Sequence, residues 1–146
     1  MDEPEPAAPG GLDDGTVDQV IAELTTHIRK LEAKRLQLIH QRGHAHERAK
    51  LIALVGKDAK AADEILLILD EFQRAPGLLK RVLSAEISVP RAAQLAAAVQ
   101  GVSDERFDRD LATLTEWVTA NKREELAANL RRWRRFAVAE EGQYTI

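Results

Sequence analysis

The chain contains no cysteine, which excludes disulfides, thiolate zinc sites, iron–sulfur clusters and cysteine nucleophiles together. A reducing compartment, and so a cytoplasmic location, is the expectation. A long apolar run is also missing: the longest aliphatic stretch, Ile65 to Leu69, is far shorter than the roughly 20 residues that span a bilayer. No membrane contact is expected. The opening MDEPEPAAPGG carries acids and prolines where an export signal needs a basic end followed by an apolar run. No segment has the two-residue alternation or the β-branched, glycine-bounded runs of a strand. A surplus of one charge is absent as well. With 24 acidic and 21 basic residues the formal net charge is −3, so the electrostatics of the whole molecule neither demands nor excludes a nucleic acid. Neither a phosphate loop, nor a nucleophile–base pair, nor a complete set of metal ligands stands out, and no cofactor and no catalytic residue are expected.

What is present is helix. The chain has 146 residues, 45% apolar and 31% charged, which suits one domain of ordinary size. The expected fold is all-α, a long coiled-coil-type helix followed by a compact bundle of four to five shorter helices. Residues 1–15 are acidic and rich in proline and glycine and read as a disordered, solvating tail. The other reading is a flexible arm competing for a basic surface. Thr16 with Gln19 fits a capping box that opens a helix over 16–55. Along it Val17, Ile21, Leu24, Ile28, Leu31 and Leu38 recur at alternating steps of four and three, with Arg35 where an apolar residue was due. This is an oligomer seam. Leu36 and Ile39 widen the stripe, and Gly43 is a place to end or bend the helix.

The bundle is read over 58–140, with a short C-terminal tail at 141–146. Gly56-Lys57-Asp58 forms a turn, and Asp58 caps the helix carrying Ile65, Ile68, Leu69 and Phe72. Ala75-Pro76-Gly77 breaks the chain before a short helix over Leu78–Glu86, with Leu79, Val82 and Leu83 inward. Pro90 sits in the first turn of an alanine-rich helix closed by Gly101. Ser103 caps the next helix, which buries Phe107, Leu111, Leu114 and Val118. The last helix, about Lys122–Ala139, buries Leu126, Leu130, Trp133 and Ala137.

Charge concentrates in two places. From His27 to Lys60 basic residues outnumber acids, and Arg29, Lys30, Lys34, Arg42, Arg48 and Lys50 are candidate contacts to nucleic acid or a protein partner. The plainer reading is a solvated coiled-coil flank. Arg131, Arg132, Arg134 and Arg135 surround Trp133 and end at Phe136, an interleaving that single-strand binders use. The spacing of Trp133 with Leu126 and Leu130 points instead to the core. His40, His44 and His46 cluster, and the i, i+4 pair His40/His44 is a weak candidate for a divalent metal or a pH-sensitive patch. Arg91–Leu114 resembles a helix–turn–helix, although Asp104, Glu105 and Asp108 occupy positions that face phosphates in such motifs.

Three likenesses follow from these residues. Leu24, Ile28, Leu31, Glu32, Leu36, Leu38, Ile39 and Arg42 resemble the first helix of the all-helical chorismate mutases. The resemblance implies a helical enzyme binding a dicarboxylate, with Arg42 among its cations. This chain has Thr25 where that family places a substrate-binding arginine, and Ala61 and Ala62 where it has an arginine–glutamate pair. The Arg35-to-His40 spacing is similar to that of helical ribonucleases, with Leu36 replacing a polar group. The long helix also looks like the dimerisation helix of some one-component regulators. The function expected from the residues is a non-enzymatic, self-associating protein, a homodimer or higher, that binds an unidentified protein partner in regulation or assembly. The alternative is a nucleic-acid-binding transcriptional regulator using 27–60 and 91–114. A degenerate mutase-like enzyme is a remote third reading.

Overall fold

The computed structural model describes residues 13–43 and 47–144, with side chains as far as Glu140. Among them there are seven α-helices and no strand: α1 Asp14–Arg42, α2 Arg48–Leu54, α3 Ala59–Glu71, α4 Pro76–Leu83, α5 Val89–Val99, α6 Asp104–Ala120 and α7 Arg123–Tyr144. A 3-10 turn over Phe72–Arg74 links α3 to α4. The chain is therefore all-α, a long first helix followed by shorter ones. Residues 1–12, where most of the expected acidic tail falls, and 44–46 lie outside the described residues.

Local chemistry explains most of the ends. Asp13, not Thr16, caps α1: its Oδ1 accepts the Thr16 amide at 2.7 Å, and this bond holds its carboxyl below the usual range. Residues 13–15 thus belong to the cap and first turn. Gly43 closes α1 at φ +71°, its amide returning to the His40 carbonyl, a left-handed conformation that glycine adopts without a Cβ penalty. The single helix expected over 16–55 is consequently divided, α2 being a separate short helix. Asp58 caps α3 through the Ala61 amide and Ser103 caps α6 through the Arg106 amide. Pro76 and Pro90 occupy first turns, where a missing N–H is harmless. That places the start of α4 inside the expected breaker, and Leu78 and Val82 are the side chains it buries. Leu79 and Leu83 pack at the edge of the core. Helix α7 runs on to Tyr144, past the expected end near Ala139.

Helix α5 is the hub. It buries Val89, Ala92, Ala93, Leu95, Ala96, Ala98 and Val99, and its alanines let neighbouring backbones approach closely. Helices α3, α6, α7 and the second half of α1 all pack on it. The core also contains Phe72, Phe107, Leu114, Val118, Leu126, Leu130, Trp133 and Ala137. From α1 only Ala33, Leu36 and Ile39 are buried, and they meet α4 and α5. Nothing before Ala33 in α1 is buried, so its first half stands away from the bundle.

Candidate interaction surface

The edge of α1 beside its packed face is apolar and uncovered. Ile21, Leu24, Ile28, Leu31 and Leu38 are 50–56% exposed, while Val17 is partly covered. These residues were read from the sequence as the seam, and among the described residues no later segment covers them. Toward its carboxyl end the edge deepens into a groove of about 390 Å³. It is lined by Leu31, Leu38 and Ile39 of α1 and by Leu54 and Val55 from the end of α2, together with Lys34, Arg35 and Arg42. Leu54, 60% exposed, was not singled out from sequence. It lies in this groove beside Leu31 and Leu38, although it comes from a separate helix.

The two basic clusters divide into residues that are committed and residues that are not. Arg29, Lys30, Lys34 and Arg42 are exposed and make no ion pair among the described residues. Arg48 donates to both carboxylate oxygens of Asp63, at 2.7 and 3.1 Å, and this bond lowers the Asp63 pKa. Lys50 pairs with Glu47 at 3.2 Å. In α7, Trp133 is core, as its spacing required, and its ring N–H donates to Asp110 at 2.8 Å. Arg131, Arg132 and Arg135 are exposed beside Phe136, which is 62% exposed.

Arg134 is structural. It donates to the carbonyls of Ala98 and Gln100, both at 2.7 Å, at the end of α5. Arg74 reaches the same turn from the opposite side, donating to Val99 at 2.6 Å and Val102 at 2.5 Å. It also pairs with Glu71 and lies 4.8 Å from the centre of the Phe107 ring. Arg91 does the same for α6, donating to Val118 at 2.8 Å, Trp117 at 3.3 Å and Asn121. The last carbonyls of a helix lack intrahelical donors and carry the negative end of its dipole, so a guanidinium satisfies both needs. These three arginines staple the bundle, and their use was not visible in the sequence.

This stapling bears on the helix–turn–helix reading of 91–114. Helix, turn and helix are present, but Arg91 is half-buried and committed to capping α6, and Arg106 is bonded to Asp110 at 2.8 Å and to Glu140. Asp104, Glu105 and Asp108 face solvent at the start of α6, where they would repel phosphates. Around Asp110, burial raises the pKa, but hydrogen bonds from Trp133, Arg106 and Arg109 outweigh it and hold the carboxyl below its usual range.

His40 is exposed in the last turn of α1, whereas His44 and His46 lie outside the described residues. Among the described residues no group of three or more histidines or carboxylates is placed to hold a metal, and no helix is long and apolar enough to cross a membrane. At the mutase-like positions, Thr25 spends its hydroxyl on the Ile21 carbonyl, Ala62 is buried, and Arg42 lines the groove. Comparison of the chain with protein-family models, with curated proteins and with solved structures found no match.

Proposed function

We propose that this chain is a non-enzymatic, helical, self-associating protein that works by binding a further macromolecule in regulation or assembly. One observation carries the reading: the apolar edge of α1 remains about half exposed from Ile21 to Leu38. Covering such side chains is worth on the order of 1 kcal/mol each, so a second stripe of the same kind would offset the several kcal/mol lost in association. Most helical stability in proteins comes from packing of the apolar face, so the unpacked first half of α1 gains from a partner. A contiguous apolar edge on a soluble surface marks an interaction site.

Light scattering after size exclusion at several concentrations tests the proposal. The wild type is expected to be a dimer or higher, and Leu24→Asp with Leu31→Asp, which forces charge into the seam, to be a monomer with unchanged bundle stability. A wild type that is monomeric at every concentration defeats it. A second reading, nucleic-acid binding, draws support from Arg29, Lys30, Lys34 and Arg42, which are exposed and unpaired among the described residues. It requires affinity that falls steeply with salt, and absence of any gel shift on duplex or single strands at low salt ends it.

A further inference from the structure

Resting on the self-association reading, we infer that two copies pair their α1 helices antiparallel. Each seats the amino-terminal half of its α1 in the groove between the other's α1 and α2.

The argument begins with charge. The first half of α1 carries Asp14, Asp18 and Glu23 and no lysine or arginine. The second half carries Arg29, Lys30, Lys34, Arg35 and Arg42 against the single acid Glu32. A parallel pair would set basic half beside basic half and acidic half beside acidic half. An antiparallel pair sets each acidic half against the other's basic half, and it opposes the two helix dipoles. Lys34, Arg35 and Arg42, the cations lining the groove, have no ion-pair partner among the described residues, and neither do Asp14 and Asp18.

Shape agrees with charge. The half that would be the guest is free: nothing in α1 before Ala33 is buried, and Val20, Ile21 and Leu24 lie on its open side, 36–54% exposed. The half that would be the host is anchored on α4 and α5 through Ala33, Leu36 and Ile39. From Leu31 to Arg42 it spans about 16 Å at 1.5 Å per residue, the same length as Asp14 to Thr25, the stretch it faces when the pair is centred on Ile28. Pairing about Ile28 therefore brings each free half onto the other's anchored half. It places Leu54, otherwise 60% exposed, against the guest helix. The contact is a two-fold one with two equivalent grooves, so it closes at a dimer and leaves neither apolar edge open.

Dipolar electron resonance between nitroxide labels tests the orientation. The chain has no cysteine of its own, so labels attach only at Thr16→Cys or His40→Cys, both exposed and off the apolar edge. Antiparallel pairing about Ile28 predicts about 36 Å between the two Thr16→Cys labels of one dimer, and about 36 Å between the two His40→Cys labels. Mixing the two variants is expected to give a new separation below about 20 Å, allowing for label length. A dimer with a short Thr16→Cys to Thr16→Cys distance overturns the antiparallel arrangement and leaves self-association through α1 standing. A dimer with no short distance in any sample pairs through another face and overturns both. A monomer by light scattering overturns the self-association reading itself.

Discussion

Helices α1 and α7 carry apolar residues at the same helical spacing, yet their surroundings differ completely. Leu126, Leu130, Trp133 and Ala137 of α7 are at most 7% exposed, whereas Ile21, Leu24, Ile28 and Leu31 of α1 are 54–56% exposed. The difference teaches that periodicity states that a face needs cover without stating what supplies it. For α7 the cover is α5 and α6 of the same chain. For α1 nothing in the described residues supplies it.

Substitutions that separate the two helices sharpen this contrast. The largest effect is expected from Leu126→Ala, which opens a cavity in a site with no exposure and is predicted to cost about 2–5 kcal/mol in urea denaturation. The same change at Leu24 is predicted to cost the monomer less than about 0.5 kcal/mol, while weakening association in sedimentation experiments. Equal losses at the two positions would break the comparison.

Within α7 the arginines offer a second contrast. Arg134→Met strips donors from the Ala98 and Gln100 carbonyls and is expected to cost about 1–3 kcal/mol. Arg132→Met, at an exposed position, is expected to stay within about 0.5 kcal/mol. Thermal melts of the two variants measure this difference.

Asp110 ties α6 to α7 through Trp133, with a side chain 23% exposed. Its pKa is lowered on folding, so the stabilisation it gives is present above the unfolded carboxylate value, about 3.9. It is lost as pH falls through the lower folded value. Asp110→Asn is expected to cost about 1–2 kcal/mol near neutrality, with the gap from wild type closing in denaturation curves taken at progressively more acid pH. A gap that widens toward acid would contradict the sign.

A comparably modest effect is expected at the boundary between the first helix and the bundle. Gly43 has φ +71° and open space around its Cα, so Gly43→Ala meets conformational strain alone, about 1–2 kcal/mol. Circular dichroism melts should register that loss without a change in oligomeric state.

The fold was legible wherever the signal is local. Apolar spacing located the buried face of α7, most of that of α6 and the open edge of α1; Asp58, Ser103, Pro90 and Gly101 marked ends because capping acts within a few residues. The start of α1 was misplaced: Thr16 was read as the cap, but Asp13, three residues earlier, takes the role because its carboxylate accepts the Thr16 amide. Long-range partnerships were not legible. Arg74, Arg91 and Arg134 find carbonyls 25–36 residues away along the chain, and Arg48 finds Asp63 across 15. Charge counting therefore overstated the free basic surface. The groove escaped for the same reason, since Leu54 joins Leu31 and Leu38 from a separate helix.

Hydrogen exchange of backbone amides at two protein concentrations compares the helices directly. Amides from Ile21 to Leu31 are predicted to gain protection as concentration rises, while those from Leu126 to Ala137 hold the same protection at both, since in the proposed dimer only α1 draws its cover from a second molecule. Protection in α1 that is indifferent to dilution would contradict the account.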